Sequence, residues 1–185
     1  MTNFKIRIEN IVASVSLGVN VTLEKIASKL EGTEYEPEQF PGLVYRIKSP
    51  KAAALIFGSG KIVCTGARSV EDVNTAIKKV VKVVQSTGVK VPRGYKIQIE
   101  NIVASAKLDA NLNLDTIAFN LENSEYEPEQ FPGLVYRMDN PKVAFLLFGS
   151  GKIVCTGARS VEDVNTAIKK VSKKLKEIGA LVKPK

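Results

Sequence analysis

Three groups of residues in this chain have the types that catalysis or ligand binding uses. They are Gly58-Ser59-Gly60-Lys61, the carboxylates Glu34, Glu36 and Glu38, and the thiols Cys64 and Cys155. The first invites a phosphate-loop reading, but that motif needs four residues between its first glycine and the Gly-Lys pair, then Ser or Thr, then a helix. Here Ile62 follows the lysine and an apolar strand-like run follows that, so a tight hairpin is the expectation. The glutamates are spaced for paired-carboxylate or metal chemistry, yet a solvated acidic loop, with partner contact second, explains them better. Histidine is absent, which removes the commonest general base and metal ligand. Two cysteines fall short of a four-ligand zinc site, and both are expected to pack as small apolar side chains. No nucleophile–base pair and no metal cluster can be assembled, so neither catalysis, a cofactor nor a metal is expected.

What remains is charge and apolar surface. There are 27 basic and 19 acidic residues, a net charge of +8 and a pI near 9.4, a balance that favours polyanionic partners. With 44% apolar and 25% charged residues the composition is that of a globular protein. No apolar run approaches the ~20 residues that span a bilayer. The opening MTNFKIRIEN lacks the regions of a signal peptide, which sets the expectation of an intracellular protein with no membrane partner.

The elements that must position these groups are written twice. IENIVAS at Ile8–Ser14 returns at Ile99–Ser105, EYEPEQFPGLVYR at Glu34–Arg46 returns at Glu125–Arg137, and FGSGKIVCTGARSVEDVNTAIKKV at Phe57–Val80 returns at Phe148–Val171. Every match is offset by 91 residues without insertion, and about two-thirds of aligned positions are identical. The expected division is 1–91 and 92–185, with Val91-Pro92-Arg93-Gly94 at the boundary. Both halves are basic, with 13 basic and 8 acidic residues in the first and 14 and 11 in the second. Two copies are too few for a solenoid, and side-by-side packing about a pseudo-two-fold axis is expected.

Within a repeat, Lys5–Ser14 reads as a strand and Leu23, Ile26, Ala27 and Leu30 as a short amphipathic helix. Leu43–Ile47, Ala53–Phe57 and Lys61–Thr65 read as strands, with Glu34–Glu36 as a further short one. Ser69 and Asp72 form a capping box opening a longer helix whose stripe is Val70, Val73, Ile77, Val80, Val81 and Val84. The unit is β-α-β(n)-α, an α+β arrangement. Its helices can cover one sheet face, yet both faces read as apolar: Leu55 and Phe57 oppose Ala54 and Ile56, Val63 and Thr65 oppose Ile62 and Cys64, and Asn10, Val12 and Ser14 oppose Ile11 and Ala13. An uncovered apolar face marks a binding site, or is covered by another sheet or a second chain.

Arg46, Lys61 and Arg68, with Arg137, Lys152 and Arg159, lie at or beside these strands. An apolar floor edged by basic residues suits the DNA minor groove, where A·T pairs lack the guanine amino group. Asn10 and Asn101 are placed to donate to adenine N3 or thymine O2. Phe40 in its turn and Phe57 at a strand end, repeated as Phe131 and Phe148, are candidate wedges between base steps. Lys78, Lys79, Lys169 and Lys170 read as a solvated helix face, with flanking DNA or an acidic protein as the alternative.

At these words the chain resembles the TATA-box-binding proteins, in the short form typical of archaea, from about Phe4 to about Gly179. The resemblance implies a saddle of ten antiparallel strands in two tandem pseudo-symmetric β-α-β(4)-α repeats, with four helices on the convex face. It implies a general transcription initiation factor whose underside opens and bends TATA-box DNA through the minor groove. Phe40 with Phe57, and Phe131 with Phe148, become the wedges, and Asn10 and Asn101 the central donors. Val12, Leu55, Val63 and Thr65, with Val103, Leu146, Val154 and Thr156, line the groove. Arg46, Lys61, Arg68, Arg137, Lys152 and Arg159 become phosphate contacts, and Glu127 and Glu129 meet transcription factor B, through which RNA polymerase is engaged indirectly. The setting implied is the archaeal cytoplasm on nucleoid DNA, or the nucleus for a eukaryotic source, and a homodimer of the free protein is a further expectation. The rival readings are a sequence-tolerant architectural DNA binder and a protein-interaction module that uses the apolar face.

Overall fold

The computed structural model describes residues 5–183, so Phe4, where the resemblance begins, lies outside them. The first repeat runs β1 (Arg7–Ser16), α1 (Leu23–Lys29), β2 (Thr33–Glu34), β3 (Leu43–Ile47), β4 (Ala52–Ile56), β5 (Lys61–Ala67) and α2 (Val70–Ser86). The second runs β6 (Gln98–Lys107), β7 (Asn111–Leu112), α3 (Leu114–Asn120), β8 (Ser124–Glu125), β9 (Leu134–Met138), β10 (Val143–Leu147), β11 (Lys152–Ala158) and α4 (Val161–Glu177), and is followed by β12 (Leu181–Val182). Residues cluster into two compact units, one of Asn10–Glu100 and one of the chain as far as Glu9 with Asn101 onward. In the first unit the strands lie in the order β2-β3-β4-β5-β1, and in the second in the order β8-β9-β10-β11-β6. All these pairings are antiparallel, as a meander of short hairpins requires.

Several boundaries differ from those the sequence suggested. β1 starts and ends two residues later than Lys5–Ser14: its pairing with β5 continues through Val15–Ile62 and Ser16–Lys61, and its register shifts at a bulge between Ile11 and Ala13. β5 likewise runs past Thr65 to Ala67, through Gly66 at φ +98°. β2 is only Thr33–Glu34, with Glu36 already in the following turn, where its carbonyl accepts the Phe40 N–H at 3.0 Å. α1 stops at Lys29, leaving Leu30 as its C-cap. Val70 is 40% exposed at the first position of α2 and so is not part of the buried stripe, which is Val73, Ala76, Ile77, Val80, Val81 and Val84. Ser69 does cap this helix, its Oγ accepting the Asp72 N–H at 3.0 Å, and Ser160 repeats the bond with Asp163 at the start of α4.

The period of two in each strand divides its residues between two environments. One face of β1, β3, β4 and β5 sends Ile11, Ala13, Val15, Leu43, Ile47, Ala54, Ile56, Ile62 and Cys64 into the core, where α2 packs across β4 and β5. The second unit does the same with Leu134, Phe145, Leu147, Ile153 and Cys155 beneath α4. Phe145 replaces Ala54 of the first repeat and stacks on Tyr136 at 6.2 Å, so the second core is filled by a ring where the first is filled by a methyl group. β7 and β12 form a separate two-stranded ribbon, with the Asn113 N–H donating to the Ala180 carbonyl.

Both thiols sit in these cores with no exposed surface, and burial raises each pKa, that of Cys155 to about 11 from an ordinary 9.0. A thiol-specific reagent at pH 8 is therefore expected to label neither cysteine in the native protein and both once it unfolds. Above pH ~9 the unfolded chain loses thiol protons that the folded one keeps, so stability falls as pH rises from there toward 11. Labelling in the native state as fast as in denaturant would contradict the placement.

Candidate nucleic-acid interface

The face of each sheet opposite the helices is built by register. In the first unit Val44 pairs with Leu55, Leu55 with Val63 and Val63 with Ser14, so these four side chains form one row across four strands. The next row is Arg46, Ala53 and Thr65. Val12 and Asn10 belong to the same face on β1. The second unit repeats the arrangement, with Val135, Leu146, Val154 and Ser105 in one row and Arg137, Ala144 and Thr156 in the next. The apolar members of these rows are all half-buried, between the sealed core residues on either side of them and the exposed residues of the loops.

Val44, Ala53, Val135 and Ala144 belong to this surface as fully as the residues named from sequence. Sequence reasoning missed them, although the alternation through Val44-Tyr45-Arg46 carried the signal: an outward Arg46 implies an outward Val44. Ser14 shares the face but is nearly buried, and its Oγ donates to Glu100 Oε1 at 2.6 Å. Ser105 donates to Glu9 in the second unit, at 2.8 Å.

At one end of each open face two phenylalanines meet. Phe40 and Phe57 pack edge to face with centroids 5.9 Å apart, and Phe131 and Phe148 do the same at 5.9 Å. Phe57 follows the last residue of β4, and Phe40 is delivered by the turn in which both Gln39 and Phe40 donate to the Glu36 carbonyl. Phe40 and Phe131 remain 41% and 42% exposed, which is unusual for a large ring already held by a second one. Gly42 makes this packing feasible. A Cβ there would lie 2.7 Å from Phe40 Cε2 and 3.0 Å from Phe57 Cε1, and Gly133 is confined in the same way by Phe131 and Phe148.

Around the open faces stand the basic residues. Lys61, Arg68, Lys152 and Arg159 are exposed and, among the described residues, have no ion-pair partner. Arg46 and Arg137 lie in the face itself and are paired, to Glu34 at 2.9 Å and to Glu125 at 3.1 Å. These pairs are solvent-exposed, and such pairs contribute only ~0–1 kcal/mol, so an incoming anion can compete for either guanidinium. Glu127 and Glu129 are exposed in the loop that carries Phe131, with the Glu127 carbonyl accepting the Phe131 N–H at 3.0 Å. Gly58-Ser59-Gly60 closes the β4–β5 hairpin, with the Gly60 N–H donating to Phe57 and Gly60 at φ +90°. A Cβ at Gly60 would fall 2.1 Å from the Val19 carbonyl, so this is a packed turn rather than a phosphate cradle. Among the described residues no group of three acidic, histidine or cysteine side chains could hold a metal, and no helix is long and apolar enough to cross a membrane.

Residues 5–87 and 96–178 each match the family model described as transcription factor TFIID, or TATA-binding protein. The chain is 56% identical over 181 residues to the TATA-box-binding protein of Methanothermobacter thermautotrophicus, covering 98% of this chain and 100% of the relative. It is 53% identical over 183 residues to that of Archaeoglobus fulgidus, with the same coverage. Among solved structures it is similar to Methanococcus jannaschii TBP, with a TM-score of 0.86 and 54% identity over 94% of this chain and 99% of that one.

Proposed function

This chain belongs to the TATA-binding protein family, and from that premise we propose that it is a general transcription initiation factor that binds TATA-box promoter DNA through the minor groove and bends it. The family is one of DNA-binding transcription factors, not of enzymes. The observation that carries the mechanism is the open face of each unit: half-buried apolar rows, free cations around them, and a half-exposed phenylalanine pair at one end.

Val12, Val44, Leu55 and Val63, with Val103, Val135, Leu146 and Val154, offer the groove floor no partner for a guanine amino group, so burying that donor would cost binding energy. Asn10 and Asn101 donate to the acceptors that A·T pairs present. The phenylalanine pairs enter between base steps and unstack them, most cheaply at flexible TA steps. Lys61, Arg68, Lys152 and Arg159, with Arg46 and Arg137 released from their glutamates, neutralise phosphates. We take residues 1–91 and 92–185 as the two halves of this machine, and Glu127 and Glu129 as the contacts for transcription factor B, with RNA polymerase recruited through it. The cytoplasm of an archaeal cell is the proposed setting.

The phosphate contacts can be tested separately from base readout. Changing Lys61, Arg68, Lys152 or Arg159 singly to Gln should reduce the slope of log affinity against log salt by about 0.9 each. It should weaken A/T-rich and G/C-rich duplexes alike. An unchanged slope in all four variants would remove these residues from the interface.

A further inference from the structure

In each unit an asparagine, a threonine and a glycine converge where the strand ladder is irregular. The Gly66 N–H donates to Asn10 Oδ1 at 2.6 Å, and Asn10 Nδ2 donates to Thr65 Oγ1 at 3.3 Å. The Gly157 N–H donates to Asn101 Oδ1 at 2.6 Å, and Asn101 Nδ2 donates to Thr156 Oγ1 at 3.2 Å. We infer that the backbone N–H groups of Gly66 and Gly157 are specificity-determining positioning groups, which lock the two asparagine amides with nitrogen outward and so make each site a donor-only reader of base edges. The inference rests on the proposal above that Asn10 and Asn101 face the groove floor.

A primary amide has an acceptor end and a donor end, and nothing in its shape decides which faces a ligand. A backbone N–H can only donate. Set against it, the asparagine must turn its oxygen inward. The flipped amide would oppose N–H to N–H and leave a donor unmade, a penalty that holds the flipped form to about a tenth of the population or less. With the oxygen held, one amide hydrogen goes to the threonine oxygen and the second remains for the ligand. The threonine hydroxyl is only loosely held: it reaches the second lone pair of the same asparagine oxygen at 3.5 Å in both units, the long limit of a hydrogen bond, and can rotate its hydrogen to a ligand acceptor instead.

Each unit therefore presents an amide hydrogen and a hydroxyl hydrogen. The minor-groove edge of an A·T pair carries acceptors only, whereas guanine adds an amino donor. A flipped amide would accept that amino group and erase the distinction. The position demands glycine because φ is +98° at Gly66 and +104° at Gly157, a conformation side chains rarely adopt. A Cβ would meet only ordinary van der Waals neighbours, Ala52 Cα at 3.4 Å in one unit and the Lys142 carbonyl at 3.5 Å in the other, so the backbone conformation and not lack of space sets the requirement.

The test uses the full chain and three duplexes differing only at the base pairs facing the asparagines: A·T, 3-deazaadenine·T, which lacks the N3 acceptor, and G·C. The native protein is expected to bind the deaza duplex about 3–10-fold more weakly than A·T. In the double variant Gly66→Ala/Gly157→Ala that ratio should fall toward one, and the preference over G·C should shrink with it. A variant that merely loosened the fold would weaken all three duplexes in proportion, and ratios equal to the native ones would overturn the inference. Should the double variant not fold, the native protein decides: a through-hydrogen-bond NMR coupling between the glycine ¹⁵N and the asparagine ¹³Cγ supports the lock, and its absence refutes it. Native protein that bends TATA DNA yet ignores the deaza substitution would remove the asparagine donors and the inference together. Native protein with no preference for TATA DNA at all would instead overturn the proposed function.

Discussion

Truncation of Phe57 and Phe148 to alanine should abolish DNA bending in a protein that still folds. Each ring is the half-buried support of a more exposed partner, Phe40 or Phe131, and the edge-to-face contact at 5.9 Å is what aims that partner outward. Unstacking a base step costs a few kcal/mol, and the wedge offsets it only if both rings enter rigidly. Losing that contribution at ~2 kcal/mol or more corresponds to at least ~30-fold weaker binding to a TATA duplex. Stability should fall by less than the ~3–5 kcal/mol typical of a fully buried phenylalanine, because these rings are not sealed in the core. Fluorescence transfer between duplex ends reports the bend and thermal melting reports the fold. Full bending by the double variant would show that the kinks are driven from elsewhere on the surface.

Substitution of two consecutive residues should separate function from folding. Val63→Glu places a carboxylate in the open row between Leu55 and Ser14, facing the ligand side. Affinity for TATA DNA should drop by roughly a hundredfold or more, since a buried carboxylate would face the acceptors of the groove floor. Melting temperature should barely move. Ile62→Glu, one residue earlier, points into the fully sealed core beneath α2, and an unpaired buried charge there should prevent folding. The contrast rests on the period of two along β5. A folded Ile62→Glu protein, or an inactive Val63→Glu protein that is also unfolded, would mean the two faces are assigned wrongly.

The duplication and the element types were legible in the sequence because identical words return at a constant offset and β-branched residues alternate between turns. The hairpin at Gly58-Ser59-Gly60 was legible for a similar reason: a strand pattern resumes directly after Lys61, leaving no room for a helix. The bulges were not. Nothing local in Asn10-Ile11-Val12 announces that β1 will slip relative to β5, because a bulge is a property of two paired strands rather than of one. The Arg46–Glu34 and Arg137–Glu125 pairs were hidden likewise, since residues twelve apart meet only after β2 has paired with β3 and β8 with β9.

At the site, residue types were readable and their constraints were not. Asn10, Thr65 and the four phenylalanines could be named from sequence. Neither the glycine that orients the amide nor the glycine between the rings has a side chain to draw attention: the first acts through its backbone N–H and positive φ, the second through what a Cβ would strike. The second core differs for the same kind of reason. Phe145 is one letter among many, and its significance appears only opposite Tyr136, where it fills the space that Ala54 leaves to others in the first repeat.

The central claim is sequence-preferring deformation of the minor groove. The most direct test is a bending titration by fluorescence transfer at one stated salt concentration, with end-labelled duplexes carrying either a central TATAAA site or a G/C substitution at the same positions. The account predicts tight binding with a large bend on the first duplex and neither on the second. Equal, weak binding to both without bending would contradict it, leaving only the net charge of +8 acting on the DNA and the apolar faces open to a protein ligand.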